Sequence, residues 1–456
     1  MFVPEKNVII RLSHGELSVA KERITGEKRR GKGTKMDWFG LIANSIGLLF
    51  IICYAYQAFY VADVLMTKPR RMPQSKVLHR YAFVVSARNE SAVIGGLIES
   101  LLQQDYPREL IDVFVVADNC TDNTAQVCRD KGAYVYERFN RVQVGKGYAL
   151  DYLFKQMKKD EIFDHYEAFI IFDADNIVDR GYIRAMNDTF SAGYRVITSY
   201  RNSKNYDSNW ISAGYSLWFL REAKYLNQAR MNLNTGCAVS GTGFLVHHDI
   251  IDRMNGWKYH LLTEDIEFSV DCAIQGEKIG YCDHAVFFDE QPVTFKQSWQ
   301  QRLRWAKGFY QVLGKYGGSI VKGIFCQHHF ACYDMLMTLF PALVLMLLGV
   351  GCAAGEIINA MLLGNMPQAI ERVGSFLIGS CIQMYGFMFL VGFLTMATEW
   401  KNIHCKARKK ILSLFTFPVF MITYIPISIH AIFAKVGWAP IQHSINRTAE
   451  QIRRAA

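Results

Sequence analysis

Two carboxylates close an apolar run in the segment Ala168-Phe-Ile-Ile-Phe-Asp173-Ala-Asp175-Asn176. A short continuous apolar run suits a strand buried on both faces of a parallel sheet. Ligands of open α/β sheets bind beyond the carboxyl ends of the strands. Side chains two residues apart on a strand point the same way. Asp173 and Asp175 therefore offer two hard oxygen donors that, with a divalent cation, could hold a diphosphate. An acidic turn would look the same, so the meaning of the pair rests on its surroundings.

A second acidic pair, Glu264 and Asp265, follows Thr263. Acids after a threonine fit a helix capping box. The functional reading makes one of them a general base. A third group, Gln301, Arg304 and Trp305, lies in Trp299-Gln-Gln-Arg-Leu-Arg-Trp-Ala-Lys-Gly. At ~100° per residue, Trp299, Leu303, Ala306, Tyr310 and Leu313 form one helical stripe and the third group faces the other way. The stripe suits a membrane interface, leaving Arg304 and Trp305 for the soluble domain; plain snorkelling is the alternative.

The elements that must position these residues alternate. Strands are expected at Tyr81–Val85, Val113–Ala117 and Ala133–Tyr136, then the run ending at Asp173; helices are expected at Ser91–Gln103, Thr121–Lys131 and Gly147–Lys158. This pattern means an α/β domain with a mostly parallel, doubly wound sheet. The first loop, Ser86-Ala-Arg-Asn89-Glu90, lacks the Gly-x-Gly-x-x-Gly of dinucleotide-binding dehydrogenases and argues against that class. In the second loop Asp118 closes a strand and could accept from a base edge, while Asn119 or Thr121 could simply cap the next helix. Lys146, in Gly-Lys-Gly before a helix, is placed as a phosphate neighbour. Gly26 to Thr34 nearly matches a P-loop, but Gly33 stands where Ser or Thr is required and no strand precedes it.

Four uncharged stretches, Trp38–Ala62, Met335–Gly355, Val373–Thr398 and Ile411–Ala434, are each long enough to cross a bilayer. The organisation expected is a basic segment 1–36 without fixed structure, a membrane helix in 37–66, a cytoplasmic catalytic domain in 74–297, an interfacial helix in 298–325, three membrane helices in 332–436 and a basic tail 437–456. Lys68, Arg70, Arg71, Lys76 and Arg80 form a cytoplasmic positive flank. A single first helix puts basic residues 1–35 on the opposite side, which is resolved if translation starts at Met36. Lys401 to Lys410 are expected in the cytoplasm, Leu363–Arg372 and the tail from Gly437 outside. The eleven cysteines show no Cys-x-x-Cys spacing and read as reduced thiols.

Taken in order, Ala87-Arg-Asn89-Glu90, Asp118 with Asp122 and Thr124, Gly145-Lys146-Gly147, Asp173-Ala-Asp175, Thr263-Glu264-Asp265 and Gln301-x-x-Arg304-Trp305 resemble the motifs of the processive membrane glycosyltransferases of family 2. That group contains the cellulose, hyaluronan, chitin-oligosaccharide and poly-N-acetylglucosamine synthases. The resemblance covers roughly Tyr81 to Gly308. It implies a GT-A fold and inverting transfer from a UDP-sugar. It assigns Asn89, Glu90 and Asp118 to the nucleotide, Lys146 to its phosphates, and Asp173 to the ribose or diphosphate. Asp175, with Asp173 beside it, would bind Mg²⁺ or Mn²⁺. Asp265 would be the base with Glu264 as its rival, Arg304 would hold the diphosphate, and Gln301 and Trp305 would meet the acceptor sugar. One helix before the domain and three after are fewer than in the cellulose and hyaluronan enzymes, a layout closer to the chitin-oligosaccharide synthases.

The leading expectation is a transferase building a β-linked polysaccharide or oligosaccharide at the plasma membrane. The second is transfer of one sugar to a membrane lipid. A transporter or nucleotide-sensing receptor is disfavoured, because such proteins place charges within their spans and these four stretches have none. Partners expected are the UDP-sugar, a carbohydrate or lipid acceptor and membrane lipids, not nucleic acid; a homo-oligomer is left open.

Overall fold

The computed structural model describes residues 37–326, 329–339, 341–438, 441 and 443–454. The basic segment 1–36 and the proposed start at Met36 lie outside them.

The apolar runs become strands for the reason their composition gives. β1 (Tyr81–Ala87), β2 (Ile111–Asp118) and β4 (Ala168–Asp173) are buried along almost their whole length, as strands covered on both faces must be. With β3 (Tyr134–Arg138) they pair in parallel, and the register sets Ser86 beside Asp173 and Asp118 beside Arg138. The loops carrying Asn89, Glu90, Asp118 and Asp175 therefore gather at one end of the sheet. Alternate residues divide between two cores. Phe169 and Ile171 pack with the helix Lys146–Lys159 on one face. Ile170 and Phe172 pack with the helices Ile94–Leu102 and Tyr182–Ser191 on the other.

The rest of the sheet contains β5 (Ile177–Val178), β6 (Val196–Ser203), β7 (Phe244–His247) and β8 (Ile279–Asp289). The eight strands run in the order β3-β2-β1-β4-β7-β6-β8-β5. β7 is antiparallel to both neighbours and β5 to β8, so the sheet is mixed. The four residues of β7, after Ser240-Gly-Thr-Gly243, are too short to show periodicity; the sequence announces only the turn.

The helix Phe295–Cys326 contains the expected interfacial segment. Its stripe meets protein: Trp299 Nε1 donates to His430 Nδ1 at 3.3 Å and the Tyr310 hydroxyl to the Ser428 carbonyl at 3.2 Å. Ahead of the domain, Trp38–Tyr54 and Tyr56–Met66 form one apolar pair bent by 41°. After it, among the described residues, two helices are long and apolar enough to cross a membrane, Met366–Glu399 and Ala407–Phe433. The described residues of the expected stretch Met335–Gly355 lie on the helices His329–Leu339 and Pro341–Leu363. Just ahead of it, Asp334 accepts from Arg230 of the catalytic domain at 2.7 and 2.9 Å and from the hydroxyls of Tyr56 and Tyr60, on the helix Tyr56–Met66, at 2.7 and 2.8 Å. A buried carboxylate needs such partners, and the folded chain brings them from both places.

The tail also departs from expectation. It packs on the catalytic domain, and so lies on the same side as that domain. Arg453 pairs with Asp179, and Ala449 and Ile452 pack on Ile177 and Phe288. Counting positive charge missed the carboxylates waiting on that face.

Candidate active site

Two loops meet at the carboxyl ends of β1 and β2. Asn89 Oδ1 accepts from the Thr121 amide at 2.7 Å, the Glu90 amide donates to Thr124 Oγ1 at 2.9 Å, and the Ser91 amide to Asp122 Oδ2 at 3.3 Å. Asn89 thus laces the β1 loop to the β2 loop. Asp118 is buried, and its Oδ1 takes Arg138 Nη1 at 2.6 Å and Asn119 Nδ2 at 3.0 Å. Oδ2 has no hydrogen-bond partner among the described residues.

Beside them stands the Asp173/Asp175 pair. The Asp173 amide donates to Thr242 Oγ1 at 2.9 Å, and its carboxylate is paired by Lys146, which also donates to the Gly241 carbonyl at 2.6 Å. Burial alone would lower the Lys146 pKa, but Asp173 and then Glu264 hold it above its ordinary value. Lys146 reaches this point because Gly147 lets the helix start press on the Tyr259 carbonyl; a Cβ there would stand 1.9 Å from that oxygen. Asp175 is 4% exposed. Burial pushes its carboxyl well above the usual range, His443 and Lys204 opposing and Asp289 adding to the shift. Asp289 is itself held low: burial would raise it, but its ion pair with Arg201 prevails. A buried carboxylate with others beside it is the donor set a hard divalent cation takes, so these residues fit such an ion.

The second pair sits across Gly241, where an added Cβ would lie 3.7 Å from Asp265 Oδ2 and 4.0 Å from Asp173 Oδ2. Thr263 makes no cap hydrogen bond, and its Oγ1 is buried without a partner, so the capping-box alternative fails. What sets the position of the motif is packing. Gly308, on the helix Phe295–Cys326, leaves room for Thr263; a Cβ there would come within 2.5 Å of it. Glu267, fully buried, accepts from the amides of His260 and Leu261 at 3.1 and 3.0 Å and from Lys315 at 2.6 Å. Neither Glu264 nor Asp265 has a cation within 4 Å among the described residues. Burial, then Asp265, raise Glu264 to about 7; burial also raises Asp265. Lys146 and Arg304 temper both from farther off.

Arg304 makes no ion pair or hydrogen bond among the described residues, so its charge is free. Gln301 Oε1 is buried and unpartnered. Trp305 stands edge-on to Tyr215 and Phe219, with centroids 5.7 and 6.1 Å away. Phe219 carries the Arg201 guanidinium 3.6 Å above its ring. Asp289, Arg201, Phe219 and Trp305 are thus linked by successive contacts.

The structure brings Asn89, Glu90, Asp118, Lys146, Asp173, Asp175, Glu264 and Asp265 to this end of the sheet, and joins Trp305 to it through Phe219 and Arg201. Several that matter there were not singled out: Arg138, Arg201, Glu267, Asp289, Arg302 and His443. Arg302 is buried and anchors the helix Phe295–Cys326 through the Phe420 carbonyl at 3.0 Å and Thr423 Oγ1 at 2.7 Å. Only Arg138 had a local signal, as the polar residue closing β3.

Comparison with known proteins agrees with this architecture. A family model described as "Glycosyltransferase like family 2" matches residues 79–308. Beta-monoglucosyldiacylglycerol synthase of Synechocystis is 27% identical over 50% of this chain and 47% of its own length. Poly-beta-1,6-N-acetyl-D-glucosamine synthase of Staphylococcus epidermidis is 25% identical over 51% of this chain and 55% of its own. The chain thus spans about half the length of these relatives. The mannosyltransferase PcManGT of Pyrobaculum calidifontis, solved with GDP-Man and Mn²⁺, shares the fold with a TM-score of 0.55 and 15% identity, covering 87% of this chain and 99% of that one.

Proposed function

The chain belongs to glycosyltransferase-like family 2 and has a GT-A fold, and from that premise we propose that it moves a sugar from a UDP-sugar to a growing β-linked glycan, with inversion, on the cytoplasmic face of the plasma membrane. The observation that carries this reading is the pair Glu264 and Asp265, left without a close cation one residue's width from a cation-compensated Asp173. An acceptor hydroxyl is a poor nucleophile and needs a carboxylate to take its proton; Asp265 takes it. The hydroxyl oxygen bonds to the anomeric carbon as the bond to the nucleotide breaks, and UDP departs with the electron pair. Arg304 and Lys146 bear the charge that develops on it. Mg²⁺ or Mn²⁺ bound at Asp175, with Asp173 beside it, would neutralise the diphosphate. Trp305 offers the acceptor a flat apolar face, beside the orphaned Gln301 carbonyl.

The second reading is transfer of a single sugar to a membrane lipid. Similarity to the Synechocystis diacylglycerol enzyme supports it. Incubating the purified chain with UDP-sugars and GDP-mannose, with either cation, with and without diacylglycerol vesicles, and sizing the product decides between them. A ladder supports the glycan, a single lipid adduct supports the alternative, and no turnover with any donor removes both.

A further inference from the structure

Alternate residues of β6 serve two different places, as side chains of a strand must. Arg201 meets Asp289 and Phe219. Its neighbours Tyr200 and Asn202 turn the other way. The Tyr200 hydroxyl donates to Glu399 Oε2, and Asn202 Nδ2 donates to the Asn402 carbonyl at 2.8 Å. There they line a cavity of about 420 Å³, within the roughly 300–1,000 Å³ range of small-molecule sites. None of the residues assigned above to transfer lines it.

Backbone irregularities from two elements converge on this cavity. Beyond the helix Trp210–Arg221 the chain widens into a π-helical segment, Glu222–Gln228, which carries Lys224 and Gln228 into the lining. Such segments are rare and recur at functional sites. In β8 the ladder slips, because Cys282 lies opposite Ser199 but Val286 lies opposite Tyr200. The residues between them bulge, and a bulge re-aims side chains. Asp283 and His284 join the lining in this way.

The groups so gathered leave hydrogen-bonding capacity unused. Gln228 is 3% exposed, and its Nε2 is buried without a partner. The hydroxyl of the buried Tyr281, which also lines the cavity, makes no hydrogen bond among the described residues. Buried Glu399 accepts at Oε2 from Tyr200 and from Asn402 Nδ2 at 2.7 Å. Its Oε1 has only Lys224 Nζ, 3.6 Å away, too far for a hydrogen bond. Leaving a buried donor unmet is costly.

Charge, by contrast, is already matched. Lys224 faces Glu399, Arg453 pairs with Asp179, and His284 lies 3.5 Å from Asp283. A phosphate entering here would meet the carboxylates of Glu399 and Asp283, and a metal ion would meet Lys224. Donors and acceptors remain side by side with the rings of Tyr200, Tyr281 and Phe288. Sugar hydroxyls both donate and accept, and the apolar face of a sugar packs on an aromatic ring.

We propose that this cavity binds a neutral saccharide, apart from the donor and acceptor of the transfer reaction. Gln228 Nε2 and Lys224 donate to its hydroxyls, Glu399 Oε1 accepts from one, and the Tyr281 hydroxyl completes the set. Glu399 is the last residue of the candidate span Met366–Glu399, so the sugar can arrive as the headgroup of a glycolipid or as a free oligosaccharide. The proposal rests on the cavity and not on which donor or acceptor the transferase uses.

The test uses the full chain in lipid nanodiscs and photo-crosslinking probes that carry a diazirine on the sugar. One arm places β-glucosyldiacylglycerol in the bilayer; the other adds cellotetraose or chitotetraose in solution. Crosslinks are mapped by mass spectrometry. Labelling is expected within Lys224–Gln228 or Tyr281–Phe288, competed by the unlabelled sugar and not by glycerol 3-phosphate. The first arm alone names a glycolipid, the second alone a free saccharide, and labelling in both names the shared sugar. Gln228→Leu removes no hydrogen bond of the fold and should weaken labelling about 2- to 10-fold, one neutral hydrogen bond. Glu399→Gln turns the free acceptor into a donor and should weaken it about 10- to 100-fold, the scale of a charged one. Absence of labelling in both segments, labelling undiminished in both variants, or displacement by glycerol 3-phosphate but not by sugar overturns the proposal. Each of these leaves the transferase reading intact, because no turnover is read.

Discussion

The two acidic pairs of the site lie either side of Gly241 and differ in their close partners. Asp173 has its own lysine, and Asp175, though burial raises it too, has a histidine, a backbone amide and a neighbour, Asp289, that is itself paired to Arg201. Glu264 and Asp265 are raised by burial with no cation within 4 Å among the described residues. Charge held by fixed partners suits a place where a diphosphate and a cation must come and go. A carboxylate raised toward neutrality suits a proton acceptor, because a base works best with a pKa near the working pH. The same residue type thus serves two purposes, and the surrounding cations make the difference.

Exchanging one member of each pair is the sharpest way to break this contrast. Asp265→Asn should lower transfer by roughly 10²- to 10⁴-fold, while UDP and Mn²⁺ binding, followed by calorimetry, stay near wild type. If Glu264→Gln is the dead enzyme and Asp265→Asn the active one, the base is the other carboxylate. Asp175→Asn should cost several kcal/mol of transition-state stabilisation, at least ~10²-fold in rate, and should weaken Mn²⁺ binding where Asp265→Asn does not. Near-normal activity of this variant at low Mn²⁺ would remove the distinction between the pairs.

Packing offers a smaller handle. Gly308→Ala pushes a methyl group into Thr263, and overpacking of this kind costs about 1–3 kcal/mol. Denaturation midpoints should fall accordingly, with kcat lowered more than the KM for donor, because the base moves and the nucleotide end does not.

The pH dependence gives the smallest effects. Removing the Glu264 charge makes Asp265 easier to ionise, so Glu264→Gln should shift the acidic limb of the rate profile, on which the base loses its proton, to lower pH. Stability carries the same sign. Folding raises Glu264 from 4.5 to about 7, so the folded state binds its proton more tightly, and that contribution is lost as pH rises through this window. Glu264→Gln should therefore melt higher than wild type at pH 8, and the gap should close toward pH 4. A gap that widens on acidification would place Glu264 among the compensated acids.

The two candidate membrane spans show how far pattern alone can go. Met366–Glu399 and Ala407–Phe433 have the same mean hydropathy, 1.8, but 6% of the apolar window is buried within the protein in the first and 44% in the second. Hydropathy cannot tell lipid from protein as the surface that covers an apolar side chain. In the second helix Phe420 sits against Gly214 and the Arg302 guanidinium, contacts between residues more than a hundred positions apart.

The parallel half of the sheet, the helices between its strands and the clustering of Asp118, Asp173 and Lys146 at one edge were legible in the sequence, because strand burial and loop chemistry are local and repeat along the chain. Local pattern also marked Thr263-Glu264-Asp265 and Gln301-x-x-Arg304-Trp305 as candidates. It could not say whether Thr263 caps a helix, since that depends on a hydrogen bond the packing of Gly308 leaves unmade. Nor could it find β7, four residues long, or the pairing of Arg201 with Asp289 across β6 and β8. His443 is a lone histidine in a basic tail with no spacing to mark it, and only the folded chain brings it to Glu90 and Asp175. The sequence by itself determined which residues could carry charge, metal and proton; tertiary structure decided which of those charges are compensated, because a cation's effect on a carboxylate depends on distance through space and not on separation along the chain.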